Sequence, residues 1–387
     1  TITVHPNLGG GILGELGPGG AALALPTGTG PTAVAVADFD GDLDLDIASA
    51  DQESDAVTFQ LNDGSGGRFN AFTFPAGPDP FGLDAGDLDG DGDPDLALTH
   101  LGESFSPLST VAVLFVGPSG PGEPLIVPVG LRPSGVAIAD LDGDGLNDLS
   151  VGNFQSGSVS IISNEGSGVF TTIQGLDSSS GSNEGPSAIE VGDLDGDGLP
   201  DIAVTEDGFF PAPQGSLIVF LGAGGGLFGP ALLQGEGARN DLRLADVDHD
   251  GDLDVATATD GGVLSVFEND GQAGLSETLL ELGAISGGID LVDLDDDGNL
   301  DAVSCDQETD VLSVARGLGD GSFATNGRMD LSQTPNGMTL TDVDGDGVGD
   351  LLLPGFDALE LRLGAPDGTF GAPVLVPLGI DTALHSF

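Results

Sequence analysis

The sequence predicts an all-β protein built from one small four-stranded antiparallel unit repeated many times, and three observations carry that prediction. A nine-residue acidic pattern, D-x-D-x-D-G-x-x-D, occurs in seven copies along the 387 residues, the first with Leu in place of the Gly, each followed by a short apolar run. The copies begin at Asp38, Asp87, Asp140, Asp193, Asp246, Asp293 and Asp342, so successive intervals are 49, 53, 53, 53, 47 and 49 residues, the length of one β-propeller blade. Between them lie short strand-like runs such as Val34-Ala-Val-Ala, Ser158-Val-Ser-Ile-Ile and Leu217-Ile-Val-Phe, punctuated by 67 Gly and 24 Pro. Period-two and short-run patterns exclude a helical solenoid, and a parallel β-helix with calcium repeats would need a unit of about nine residues.

Taken in order, the chain opens in mid-repeat. Ile2-Thr-Val-His-Pro-Asn7 aligns with Val57-Thr-Phe-Gln-Leu-Asn62, so residues 1–29 read as half a repeat whose two strands either close a ring or contact another subunit. Residues 30–378 hold seven full units, and 379–387 form a tail like the start of another first strand. Seven blades are expected; eight, with a closing blade shared by the two ends, is the alternative. Each unit reads as a first strand, the acidic loop, a second strand, a polar connection, a third strand, a Gly-rich turn and a fourth strand. Five of those turns end in an aromatic, at Phe69, Phe170, Phe228, Phe323 and Phe370. Their glycines allow positive φ in the hairpin, and the rings are expected to pack between neighbouring sheets.

Composition narrows the function. Sixty-four acidic residues face seven Arg and no Lys, for a formal charge of -57, which repels nucleic acid and anionic membranes. No apolar stretch approaches the roughly 18 residues of a membrane-spanning helix, and Thr1 opens no signal peptide. A first residue other than Met reads as a removed leader or a chain cut from a larger protein. Cys305 is the only cysteine, so no intramolecular disulfide can form; it reads as a small strand residue. An acidic, disulfide-free chain that takes calcium at millimolar levels points outside the cytosol.

Within each loop, alternate side chains at positions one, three and five share one concave side, position seven offers a backbone carbonyl, and the last Asp closes the shell. Such an all-oxygen set suits Ca²⁺, whereas Mg²⁺ keeps more of its waters. The candidate ligands are Asp38, Asp40, Asp42, Asp44 and Asp46; Asp87, Asp89, Asp91, Asp93 and Asp95; Asp140, Asp142, Asp144, Leu146 and Asp148; Asp193, Asp195, Asp197, Leu199 and Asp201; Asp246, Asp248, Asp250, Asp252 and Asp254; Asp293, Asp295, Asp297, Asn299 and Asp301; and Asp342, Asp344, Asp346, Val348 and Asp350. About seven calcium sites are therefore expected. Clustered carboxylates repel one another strongly unless a cation neutralises them. The first copy departs from the pattern because Leu43 replaces the turn glycine, where left-handed geometry is costly. Position four is read as freely variable, with His249 and Asp296 in place of Gly and facing solvent.

These loops, their spacing and the literal Phe370-Gly-Ala-Pro373 resemble the FG-GAP/VCBS repeat family, known from the propeller heads of integrin α subunits and many bacterial surface proteins. The resemblance covers nearly all of the chain. It implies a β-propeller in which each calcium loop joins the two inner strands of a blade, and roles in adhesion, recognition or scaffolding, with a few polysaccharide lyases among relatives.

An enzyme is not expected. His5, His100, His249 and His385 are scattered, there is no Lys or Tyr, and no G-x-S-x-G elbow occurs. The expected function is a calcium-stabilised extracellular or cell-surface propeller acting as a structural, self-assembling filament subunit; the alternative is adhesion or protein recognition. Partners would be copies of the chain, joined through its terminal strands, or other surface proteins. Acidic loops and Gly-rich turns share one face of an antiparallel unit. The longest irregular stretches, residues 100–109, 174–186 and 206–214, fall on the opposite face and offer Phe105, Phe209 and Phe210 as recognition candidates.

Overall fold

In the computed structural model every full unit of the sequence becomes a four-stranded antiparallel sheet, and seven such sheets follow one another along the chain. The structure describes residues 28–377 except 44, 63–68, 102–108, 118–119, 179–184, 208–215, 237–238, 260–261, 283–287, 296, 307–309, 333–337, 342–347, 355–357, 366–367 and 373, together with residues 2–4 and 23–25. The third sheet shows the plan, with strands Pro133–Ala139, Asp148–Asn153, Ser158–Asn164 and Phe170–Asp177 joined in that order. The acidic loop links the first strand to the second, and each second strand begins on the ninth residue of its loop, as at Asp95–His100, Asp201–Asp207 and Asp301–Asp306.

Burial explains why the strands read as they do. Second strands such as Asp95–His100 and Asp148–Asn153 are buried at every residue, because both of their faces lie against neighbouring sheets. That produces unbroken runs such as Leu149-Ser-Val. Fourth strands are outermost, and Leu275–Glu281 is mostly exposed. First strands sit innermost. Pro31–Ala37, Pro80–Gly86, Pro133–Ala139, Gly185–Gly192, Arg239–Ala245, Gly288–Val292 and Thr339–Thr341 each pack against the next, and Asp350–Pro354 of the seventh sheet packs against Pro31–Ala37 of the first. Among the described residues Ile2–Val4 pairs with Leu23–Leu25 alone; this strand pair lies beside the outer strand Val374–Pro377 of the seventh sheet and Phe69–Pro75 of the first.

The core lies in the gaps between sheets, and the Gly-rich turns contribute to it. Across each turn the end of the third strand faces one residue of the returning chain: Asn62 faces Phe69, Asn164 Phe170, Gly222 Phe228, Asn269 Leu275, Gly317 Phe323 and Gly364 Phe370. Phe228 is buried with Leu141 and Ile161 of the third sheet and Ile202 and Phe220 of the fourth. Phe170, Leu275, Phe323 and Phe370 pack the same way into the gap between their own sheet and the preceding one. The expectation that the turn rings pack between sheets therefore holds for the phenylalanines whose side chains are described. The second sheet differs: its turn carries an additional two-residue pairing, Val116–Gly117 with Gly120–Pro121, and there Val116 faces Pro121.

Side chains of the innermost strands also tie sheet to sheet. Asp84, Asp241 and Asp290 each accept a backbone N–H from the first strand of the following sheet, from Ile138 at 2.9 Å, Ile289 at 3.1 Å and Leu340 at 2.9 Å. Arg243 stands among Asp241 at 3.0 Å, Asp290 at 3.4 Å and Glu190 at 3.6 Å. Burial opposes the charge on Arg243, but these three carboxylates more than offset it and hold the guanidinium charged. Burial pushes Glu190 up to about 7 even though Arg243 pulls it down, and pushes Asp84 up to about 6. Cys305 is buried in its strand as expected, its thiol pushed up to about 12 by burial.

Candidate metal centres

The described acidic loops are wound by hydrogen bonds between their own carboxylates and their own backbone. In the second loop, Asp87 Oδ1 accepts the Gly90 N–H at 2.7 Å and its Oδ2 accepts the Gly92 N–H at 3.1 Å, while Asp89 accepts from Asp91 at 3.1 Å and Asp91 from Asp93 at 3.0 Å. The third loop repeats this with Asp140, Asp142 and Asp144. Positions four and six take positive φ, +80° at Gly90 and +97° at Gly92. The same conformation falls on His249 at position four of the fifth loop, with φ +63°, and on Leu43 at position six of the first, with φ +76°. Position four is therefore conformationally restricted rather than freely variable. His249 is exposed, as expected, and contacts Asn299 at 3.2 Å.

The winding gathers carboxylates. Oxygens from Asp38, Asp40 and Asp42, from Asp87, Asp89 and Asp95, from Asp140, Asp142 and Asp148, from Asp193, Asp195 and Asp197, and from Asp246, Asp248 and Asp250 each come within 4.8 Å of one another. Three of the loop aspartates also leave a buried oxygen without a hydrogen-bond partner, Oδ1 in each of Asp193, Asp246 and Asp295. A desolvated carboxylate oxygen without a donor is costly, and a hard divalent cation held by oxygen ligands meets that need. The donor set thus fits Ca²⁺. Positions one and three, joined by five in the first, fourth and fifth loops and by nine in the second and third, would hold it, and the ion would supply charge neutralisation and a cross-link within the loop.

The ninth aspartate has a further task that spacing alone did not show. Its Oδ2 accepts the N–H of position two, from Leu88 to Asp95 at 2.8 Å and from Leu141 to Asp148 at 2.9 Å. Its Oδ1 accepts an N–H at the end of the third strand or just beyond it, from Val116 to Asp95 at 2.7 Å and from Asn164 to Asp148 at 2.7 Å. The same pair of bonds is made by Asp201, Asp254 and Asp301. The residue is thus a latch between loop and sheet. Burial pushes Asp95, Asp148 and Asp254 up to about 6 despite those N–H donors, and it raises Asp201 and Asp301 as well.

Two kinds of partner escaped the sequence reading. The amides of Asn164 and Asn269 reach the loop of the preceding sheet, donating to the Leu88 and Leu194 carbonyls at 2.7 and 2.8 Å, and to Asn147 and Leu253 of their own loops at 2.9 Å each. Asn at the end of the third strand was their only signal. Arg316, from the third strand of the sixth sheet, pairs with Asp295 and lies 3.7 Å from Asp301, so a guanidinium occupies the acidic side of that loop. Several expected residues lie outside the described ones: Asp44 and Asp296, the run Asp342, Asp344 and Asp346, the recognition candidates Phe105, Phe209 and Phe210, and His5 and His385. Val348 and Asp350 are described, and Asp350 accepts the Gly364 N–H at 2.8 Å.

Sheets ordered around a common interior, with clusters of carboxylates that could hold a metal ion in the described loops between their two inner strands, define a propeller-like repeat protein. The model of the FG-GAP-like repeat matches residues 38–98, 140–204, 246–304 and 293–353. The chain belongs to that repeat family. No curated protein matches it. Among solved structures it is similar to an Agrocybe aegerita lectin that recognises non-reducing terminal N-acetylglucosamine, at 19% identity and a TM-score of 0.56 over 84% of this chain and 88% of that one. It is similar to a protein from Lactobacillus plantarum, at 13% identity and a TM-score of 0.64 over 84% and 92%. BBS1N in complex with ARL6DN gives 14% identity and a TM-score of 0.57 over 85% and 90%. At such identities the likeness shows the propeller-like fold alone.

Proposed function

We propose that this chain is a calcium-stabilised, non-enzymatic β-propeller of seven blades that acts as a protein-recognition module outside the cytosol. The observation that carries the reading is the acidic loop itself, repeated in register and leaving buried oxygens of Asp193, Asp246 and Asp295 without donors. Recurrence makes the loops scaffold: each ion holds its own blade, and recognition belongs to what is not repeated. The two described histidines support a non-enzymatic role. His100 is buried between Thr110 at 2.9 Å and the Ala76 carbonyl at 2.8 Å, and His249 contacts an asparagine. Among the described residues no helix is long and apolar enough to cross a membrane. A second reading, a self-assembling structural subunit, draws on the hairpin Ile2–Val4/Leu23–Leu25, which stands outside the seven sheets beside an outer strand.

Metal analysis and thermal melting test the scaffold claim together. Dialysed protein should hold several calcium ions per chain, and each site saturated at a hundredfold excess over its Kd contributes about 2.7 kcal/mol. An unchanged melting curve after verified metal removal refutes the stabilising role. Capture from native surroundings of nothing but further copies of the chain overturns recognition in favour of assembly.

A further inference from the structure

The gap between the first and second sheets holds a cavity of about 460 Å³, and the register of the turns explains its presence. In the first, third, fourth, sixth and seventh sheets the residue facing the end of the third strand is Phe, and in the fifth it is Leu275. Phe170, Phe228, Leu275, Phe323 and Phe370 are the ones seen to fill the gap with the preceding sheet. In the second sheet that place belongs to Pro121, which lines the cavity. A pyrrolidine ring cannot extend into the gap as a phenyl ring does. The first sheet meets the space with Phe39, Phe59, Phe72 and Phe74, of which Phe39 stands edge-on to Phe59 at 5.4 Å and Phe72 stacks on it at 5.1 Å.

The geometry points to a ligand site for an aromatic side chain delivered by a partner peptide, seated where the protein's own turn ring is missing. The volume falls within the range of sites that take small ligands, and its apolar, aromatic lining favours stacked and edge-on contacts with a guest ring. The occupant's chemistry is stated by the molecule itself, since equivalent gaps are filled by a ring presented from an extended backbone. The chain carries a formal charge of -57, of which about seven calcium ions would cancel only 14, so the surroundings stay anionic even with Asp40 of the lining committed to an ion. A basic residue next to the aromatic is therefore favoured and an acidic one repelled. This places recognition on the face of the acidic loops, not on the long connections opposite. The inference rests on the recognition reading only in taking a peptide as the source of the ring.

Titration of the calcium-loaded protein with N-acetyl-phenylalanyl-arginine amide, phenethylammonium and phenylacetate tests the site. Saturable binding of the peptide is expected, stronger than that of phenethylammonium, with phenylacetate the weakest. Pro121→Phe should fill the place from within, leave the melting temperature equal or higher, and weaken the peptide by at least about tenfold. Leu61→Phe, which narrows the cavity from its opposite wall, should weaken it too and serves if the first variant does not fold. Peptide affinity unchanged in both variants, or no saturation by either peptide or amine, overturns the cavity as a ligand site. Tighter binding of phenethylammonium than of the peptide keeps the site but overturns the peptide source.

Discussion

Two crowded acidic regions of this molecule meet the same electrostatic problem in different ways. On the innermost strands, Glu190, Asp241 and Asp290 surround Arg243, and Asp84, Asp241 and Asp290 accept backbone N–H groups of the next sheet. There the protein provides its own positive partner. In the described loops the carboxylates are satisfied partly by backbone N–H groups, and others, such as the buried Oδ1 of Asp193 and of Asp246, each within its own acidic cluster, have no hydrogen-bond partner. The sixth loop stands between the two, since Arg316 reaches Asp295 and Asp301. One solution is independent of the surroundings; the other ties stability to the ion supply.

Chelation should separate the regions most strongly. Removing calcium is expected to lower the melting temperature by tens of degrees, because several sites each contribute on the order of 2 to 3 kcal/mol, and scanning calorimetry with and without chelator reads the difference. Next in size is pH. In metal-free protein, Asp95, Asp148 and Asp254 titrate near 6 and Glu190 near 7, above the about 4 of unfolded carboxyls. The folded chain then binds more protons than the unfolded one, so its stability should fall as pH rises from about 4 to about 7. Calcium should reverse that trend, because its ligands must be deprotonated. Urea melts at pH 4.5 and 7 in each condition check both signs.

Smaller effects test single residues. Arg243→Met leaves three carboxylates without their partner and should cost about 2 kcal/mol, below the value for a fully buried pair because the side chain keeps 29% exposure; the loss should persist in saturating calcium. Arg316→Met should make the sixth loop more dependent on the ion, an effect on the order of 1 kcal/mol, seen as higher calcium affinity in equilibrium dialysis. Leu43→Gly should stabilise by about 1 kcal/mol, since Leu43 is 91% exposed, buries little and sits at φ +76°.

Much of this was legible in the sequence because the repeat writes each rule several times over. The spacing of Asp140 and Asp193 gave the unit, the apolar runs after Asp148 and Asp201 gave the second strands, and the Gly-rich turns gave hairpins whose rings enter the gaps. What stayed hidden depends on contacts between units. Nothing local marks Arg316 as a neighbour of Asp295, or Asn164 as a donor to the Leu88 carbonyl 76 residues away. Nothing in the sequence sets Pro121 apart from the other prolines. Its meaning emerged only when register set it opposite Val116, in line with Phe170 and Phe228. The ninth aspartate was read as a ligand from its spacing, whereas its burial also makes it the latch to the third strand.

The hairpin Ile2–Val4/Leu23–Leu25 lies beside outer strands of both the seventh and the first sheets. Between other neighbouring sheets the polypeptide itself crosses the joint and tethers them. Where the seventh sheet meets the first, the two are far apart in sequence and can part as surfaces. A segment straddling that joint is expected to act as a clasp whose influence is kinetic more than thermodynamic; slower proteolysis of the intact chain than of one lacking residues 1–25 would show it.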